Sequence, residues 1–337
     1  MKCKLFVFLF LFLMAPVSAL AGGFCCQMPA GVEQNGLSGA GSISLSADYD
    51  YSRMSRFVEG DSYKSLNAVL HDPRFTPMMG RGVVPEVMDM HRITLTAAYQ
   101  PTDRLVLSLS APWVINDMTM RMWMMGKWTR MTMDQVSGFG DMTLSGSYRL
   151  YQDQDTRPRT ALWVGAGLKF PTGSSTVDEG GKRIHAHMQP GTGSWDPILS
   201  LDFIKMLSSD FLLKADASYH FSTPNHLDYS YGDTASLDTA LAYNLTDYMN
   251  VSLGVNYFHS EQADDPDNKY NGKVSSRLTD FAGYTGEDSI WIYPSVRIMP
   301  FAGAGIDLKF QYPVYYHVPD IEFVTDFRLT AGISYSF

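Results

Sequence analysis

The chain has 337 residues and a formal net charge of −9 at pH 7, with aromatics at 13% of the sequence. That length suits one or two domains. The acidic balance argues against nucleic acid as a partner, because phosphate binding needs clustered Lys and Arg.

Residues 1–21 read as an export signal. Lys2 and Lys4 precede an apolar run from Leu5 to Met14, and Ala19-Leu20-Ala21 offers small residues for cleavage. The run falls short of the roughly 20 apolar residues a spanning helix needs. Phe24 rather than a small residue precedes Cys25, which speaks against a lipoprotein; the mature chain should begin near Gly22. Every later apolar run is interrupted by Asp, Lys, Arg, Gly or Pro. Residues 22–40 read as an N-terminal periplasmic tail or a plug segment. Its neighbours Cys25 and Cys26 are no disulfide framework. They could close a vicinal disulfide, bind a soft metal, bridge to another chain, or have no specific role.

Residues 41–337 show apolar residues at period two. In 249–260, Val251, Leu253, Val255 and Tyr257 oppose Asn250, Ser252, Gly254 and Asn256. Such alternation predicts strands with one apolar and one polar face. Segments of this kind lie near 41–57, 90–100, 104–115, 139–151, 160–171, 196–207, 211–222, 234–245, 249–260, 288–299, 305–316 and 323–337. Short connections (101–103, 208–210, 246–248, 300–304, and the longer 152–159) alternate with long ones (58–89, 116–138, 172–195, 223–233, 261–287, and the shorter 317–322). This rhythm predicts an all-β fold: a transmembrane antiparallel up-and-down β-barrel of about 12 strands in a bacterial outer membrane, with both termini periplasmic. A soluble sandwich would alternate similarly. It would not give so regular a rhythm, nor an apolar last strand ending in Phe337.

The polar faces should line a lumen. They carry Asp48, Asp50, Arg92, Arg104, Arg149, Lys169, Asp202, Lys214, Asp216, Asp238, Arg297, Asp307, Lys309 and Arg328. Twelve strands can enclose a narrow polar lumen.

Three stretches carry a family resemblance: "SGFGDMTLSGSYRLY" (137–151), "LKFPTG" (168–173) and "PGTGSWDPILSLDF" (190–203). They resemble recurring segments of an outer-membrane family of transporters named for the phenol meta-cleavage degradation pathway. The terminal "GISYSF" is similar to the carboxy-terminal signal of outer-membrane barrels. The resemblance implies a barrel of about twelve strands with a transport or pore role, and recognition of Phe337 by the barrel-assembly machinery. It implies no particular substrate.

The chain has no G-x-S-x-G, no H-E-x-x-H and no phosphate-cradling glycine loop, so an enzyme is not expected. His220 and His259, with Ser222 and Ser260 nearby, lie near outer strand ends and are expected on the lumen side. That is the wrong face for a lipid substrate.

The long loops hold the remaining chemistry. Loop one has His71, Met78, Met79, Met88, Met90 and His91. Loop two, "DMTMRMWMMGKW" with "TRMTMDQ", has Met118, Met120, Met122, Met124, Met125, Met131 and Met133. Loop three, "RIHAHMQPG", has His185, His187 and Met188. Thioethers are soft ligands suited to Cu(I), and imidazole suits copper. In an extended segment Met118, Met120, Met122 and Met124 share a side. Met131 and Met133 could form a facing row, and His185 and His187 also share a side. Copper or silver is therefore one reading. The others are packing against Trp113, Trp123 and Trp128, or an adaptable apolar surface for hydrophobic substrates. The acidic 261–272 stretch (Glu261, Asp264, Asp265, Asp267) could bind Ca²⁺, but a solvated loop fits it better.

The function expected is an outer-membrane channel or transporter for a small, hydrophobic or aromatic solute. It would meet membrane lipid, lipopolysaccharide and the solute, and no nucleic acid. The alternatives are a protein binding copper or silver through its Met/His loops, or a structural barrel with a closed lumen.

Overall fold

The structure is a computed structural model that describes residues 40–75, 82–154, 159–179, 182–266 and 282–337. The expected export signal, Cys25, Cys26, Met78, Met79 and Asp267 lie outside the described residues.

The described residues begin with the long strand β1 (Ile43–Gly60), the short β2 (Ser62–Lys64) and one helical turn, α1 (Leu66–Leu70). Ser65 caps α1, its side chain accepting from Ala68 N at 3.2 Å. Next come β3 (Val83–Thr102), β4 (Leu105–Met124), β5 (Lys127–Thr132), β6 (Val136–Phe139), β7 (Met142–Gln152) and β8 (Thr160–Phe170). A two-stranded scrap, β9 (Asp178–Glu179) with β10 (Lys182–Arg183), sits in the third long connection. The rest are β11 (Asp196–Met206), β12 (Phe211–His220), β13 (Thr234–Thr246), β14 (Met249–Ser260), β15 (Glu287–Ile298) and β16 (Ala304–Ser336).

Neighbours pair antiparallel in chain order, and β16 closes the sheet on β1. β16 is one unbroken extended run of 33 residues, yet its halves have different partners. Asp288–Ile298 pair with its first half and Ser44–Gly60 with its second. Ser336 N donates to Gly303 O at 2.9 Å, and Tyr316 OH to Thr325 O at 2.9 Å, so the run folds back on itself. It therefore supplies two walls, and the barrel has the twelve staves its sequence rhythm predicts.

Alternation sorts the faces. Leu95, Leu107, Leu199, Leu237, Leu253 and Leu308 point outward. Aromatics ring both rims, with Trp113 against Phe139 (centroids 4.9 Å) near the long loops and Phe211 against Tyr243 (4.9 Å) near the short turns. An apolar band between aromatic girdles is what a bilayer demands of a barrel.

Two walls rise higher than the sequence suggests. Residues 116–124 belong to β4 rather than to a loop, and β5 returns beside them: Thr119 pairs with Thr132, and Met124 with Lys127. The hairpin turns at Met125 (φ 50) and Gly126 (φ 82), the two positive φ values of a tight type I′ connection. β3 likewise starts at Val83 rather than near 90. Above the apolar band the outward positions carry Asp89, Asp117 and Arg121, so the residues cease to look like membrane strand while the pleat continues.

Candidate functional site

The strands hold most of the predicted lumen residues on the inner face. Asp202, Asp216 and Asp238 stand side by side in register on β11, β12 and β13. Lys214 is the next inward residue of β12. Across the lumen, Lys309 Nζ lies 3.9 Å from Asp238 Oδ2 and 3.8 Å from the Tyr293 ring, whose hydroxyl donates to Asp238. Gly254 makes that reach possible: any Cβ there would collide with the Tyr293 ring at 2.2 Å. Arg297 faces Asp307 at 3.6 Å, Arg328 lies 4.4 Å over Trp291, and Arg149 lies 5.4 Å over Trp163. Asp48 is buried beside Ser46, and Asp50 accepts from Thr330 at 2.7 Å. Arg92 is directly across from Val114 in the inward series of β3. Arg104 is a correction: it lies exposed in the turn between β3 and β4, where the chain reverses and no wall exists to aim it inward.

His259 is a second correction. It shares the outward face of Val255 and Tyr257, and its Nδ1 lies 2.9 Å from Asp288 Oδ1. His220 does face inward, where it is buried 3.7 Å from Asp196.

The third long connection folds into the barrel. Ile184 through Thr192 are buried without a break. Asp141 is its anchor: one carboxylate oxygen accepts from Gly173 N (2.9 Å), the other from Thr192 N and Thr192 Oγ1 (2.7 Å each). Lys169, itself buried, donates to Thr192 Oγ1 at 2.5 Å and pairs with Asp196, with Asp141 at 3.6 Å. The Gln189 side chain accepts from Val177 N (2.9 Å) and donates to Val177 O and Ile184 O (3.0 Å each). Gly173 and Gly191 let three backbones touch, since a Cβ on Gly173 would sit 2.8 Å from both Gly140 and Gly191. The three stretches that carry the family resemblance thus meet at one fastening.

The fastened segment presses on the methionines. Met54, Phe57, Met88, Met118, Met120, Met133, Ile184, Met188 and Phe323 form one buried cluster inside the loop end of the barrel, with Met90, Met122, Leu66, Leu70 and Trp128 against it. β4 aims Met118 and Met120 inward because they continue the even-numbered series of Ser110 and Asn116. His185 Nε2 comes within 3.3 Å of Met118 Sδ, and the His185 and His187 rings lie 6.1 Å apart. Met124 and Met131 remain 42% and 38% exposed near the hairpin tip. His71 and His91 stay apart: His71 Nδ1 meets Asn67 O at 2.8 Å, and His91 meets Tyr49 OH at 2.7 Å. In the acidic stretch, Asp264 bridges by backbone to Ser230. Among the described residues, no three His, Cys, Asp or Glu side chains converge as a metal site.

Loop one is clasped over this throat. Arg74 binds Asp72 (2.6 Å), Glu59 (2.5 Å) and Asp320 (2.5 Å). Its guanidinium holds the Asp72 carboxyl below the usual range, and Lys64 and then Arg74 do the same for Glu59.

The family model described as "Putative MetA-pathway of phenol degradation" matches residues 90–283. No curated protein matches the chain. Among solved structures, the COG4313 outer membrane channel from Pseudomonas putida F1 is 13% identical with a TM-score of 0.57, over 88% of this chain and 96% of that one. The TodX monoaromatic hydrocarbon channel, as a deltaS2S3 mutant, is 9% identical with a TM-score of 0.46, over 96% and 97%. A Pseudomonas aeruginosa FadL homologue is 10% identical with a TM-score of 0.42, over 96% and 99%. The first of these carries the same fold, and the protein is a bacterial outer-membrane β-barrel.

Proposed function

The chain belongs to this phenol-degradation family, and from that premise we propose that it is an outer-membrane channel passing small, largely apolar solutes, with aromatic compounds foremost. The observation that carries the reading is the two-part lumen. A methionine and aromatic throat at the loop end stands above a polar interior in which acids and bases are cross-paired. Methionine has three rotatable bonds and a polarizable sulfur, so it can re-pack around flat or branched apolar guests. The polar interior below gives such a guest little to hold, which favours release. The family name supplies a pathway and no substrate, so phenol itself is not assigned.

In this reading the long loops face outward toward lipopolysaccharide, the apolar band meets lipid, and the short turns and both termini face the periplasm. Phe337 is then offered to the barrel-assembly machinery at the periplasmic rim.

The inward segment is the element to test. A variant lacking 184–190 should show larger or more frequent conductance steps than the parent chain in planar bilayers. Intact cells carrying the parent chain should take up a labelled monoaromatic compound faster than cells without it. Equal uptake rates with and without the protein would remove the apolar-solute reading. Unchanged conductance after the deletion would remove the segment as the constriction.

A further inference from the structure

Met54, Met88 and Met118 stand opposite one another on three adjacent strands. Met133 joins them, its N–H donating to Met118 O at 2.9 Å. These four methionines form one rung of the inner wall, each at most 7% exposed. Met188 closes on the same cluster from the inward segment. His185 is buried at 4% exposure, and its Nε2 sits 3.3 Å from Met118 Sδ. Packing alone accounts for thioethers here. A polar ring is costly to bury in such a cluster, and while one tautomer of His185 donates Nε2–H to Met118 Sδ, the other turns a nitrogen lone pair toward the sulfurs.

We propose that Met118 and His185, completed by the neighbouring thioethers of this rung, bind a soft monovalent cation of the Cu(I) or Ag(I) class. Thioether sulfur and imidazole nitrogen are both suited to such ions. All the donors are neutral, whereas a buried divalent ion would need carboxylates to balance its charge. The absence, among the described residues, of any convergent His/Cys/Asp/Glu trio points the same way. Coordination uses the unprotonated Nε2, with the ring proton on Nδ1. Flexible methionine side chains can swing their sulfurs toward the ion without moving the strands. The site takes up only part of the methionine row. Met124 and Met131, exposed near the hairpin tip, stand outside it, and Met122 and His187 are not needed.

The test is a titration of the refolded full chain in detergent with Ag(I) in chloride-free buffer. Cu(I) is then measured under ascorbate by competition with a chromophoric Cu(I) chelator. About one equivalent should bind. Met118→Leu, which conserves volume, and His185→Gln should each weaken binding at least tenfold, and Met131→Leu should leave it unchanged. Heat-modifiable gel migration checks that each variant folds. No binding by the parent chain overturns the proposal, as does equal binding by Met118→Leu. Loss on Met131→Leu alone would also overturn it, by moving the ion to the exposed tip. If a variant fails to fold, X-ray absorption on the parent chain with Cu(I) decides: sulfur neighbours with one imidazole support the site, and a shell of light atoms only overturns it. Conductance measured without metal is independent of this outcome, so the channel reading stands or falls separately.

Discussion

A single lysine shows how the inward segment is held. Lys169 lies between Asp141 and Asp196, and all three are buried. Removing one member of a buried charge cluster leaves the others uncompensated, typically at about 3–5 kcal/mol. Lys169→Met should therefore lower unfolding stability by about that amount and expose 184–190 to protease. The double variant Lys169→Met/Asp196→Asn should recover part of the loss, because it removes one of the two stranded carboxylates. Denaturant unfolding in detergent measures both. This fastening was not legible beforehand. Asp141 and Thr192 are far apart in sequence, and nothing local marks Asp141 as the acceptor of Gly173 and Thr192 amides. The alternation did mark Lys169 and Asp202 as inward, because parity is a local property of a strand. The same rule places His259 outward once it is counted from Val255 and Tyr257.

At the scale of elements, the methionine hairpin is the instructive case. The parity of Met118 and Met120 was visible in the sequence, but the wall they belong to was not. Outward positions lose their apolar character above the membrane band, and a strand there looks like a loop. The turn has its own consequence. Met125 is 98% exposed and holds a φ of 50 before Gly126. A left-handed conformation costs a non-glycine residue of order 1 kcal/mol, and asparagine least among them. Met125→Asn should stabilise the hairpin by a few tenths of a kcal/mol. Slower amide exchange between Arg121 and Arg130 would show it, and faster exchange would contradict the turn assignment.

At the scale of the molecule, the fold was largely readable. Twelve alternating segments and a short/long rhythm are repeated many times, and repetition averages out local error. The last stave is the exception, since β16 runs through its turn with no break in extended conformation. Phe337 tests how the whole barrel reaches its membrane. Its backbone pairs with Ile43 (2.9 Å in both directions), but its side chain is 61% exposed. Phe337→Ala should thus refold in detergent as well as the parent chain, yet accumulate less in the outer membrane of cells. Equal cellular amounts would separate Phe337 from assembly.

The pairing of Ile43 with Phe337 also sets a clock. The outer edge of β1 has no partner until the second half of β16, Val318–Ser336, is in place, so the ladder that closes the wall joins segments nearly 300 residues apart. Such long-range closure is slow, and an unpaired edge is a template for aggregation while it waits. A chain cut short before Val318 would lose one stave of the wall, yet it would keep two raw edges instead of none.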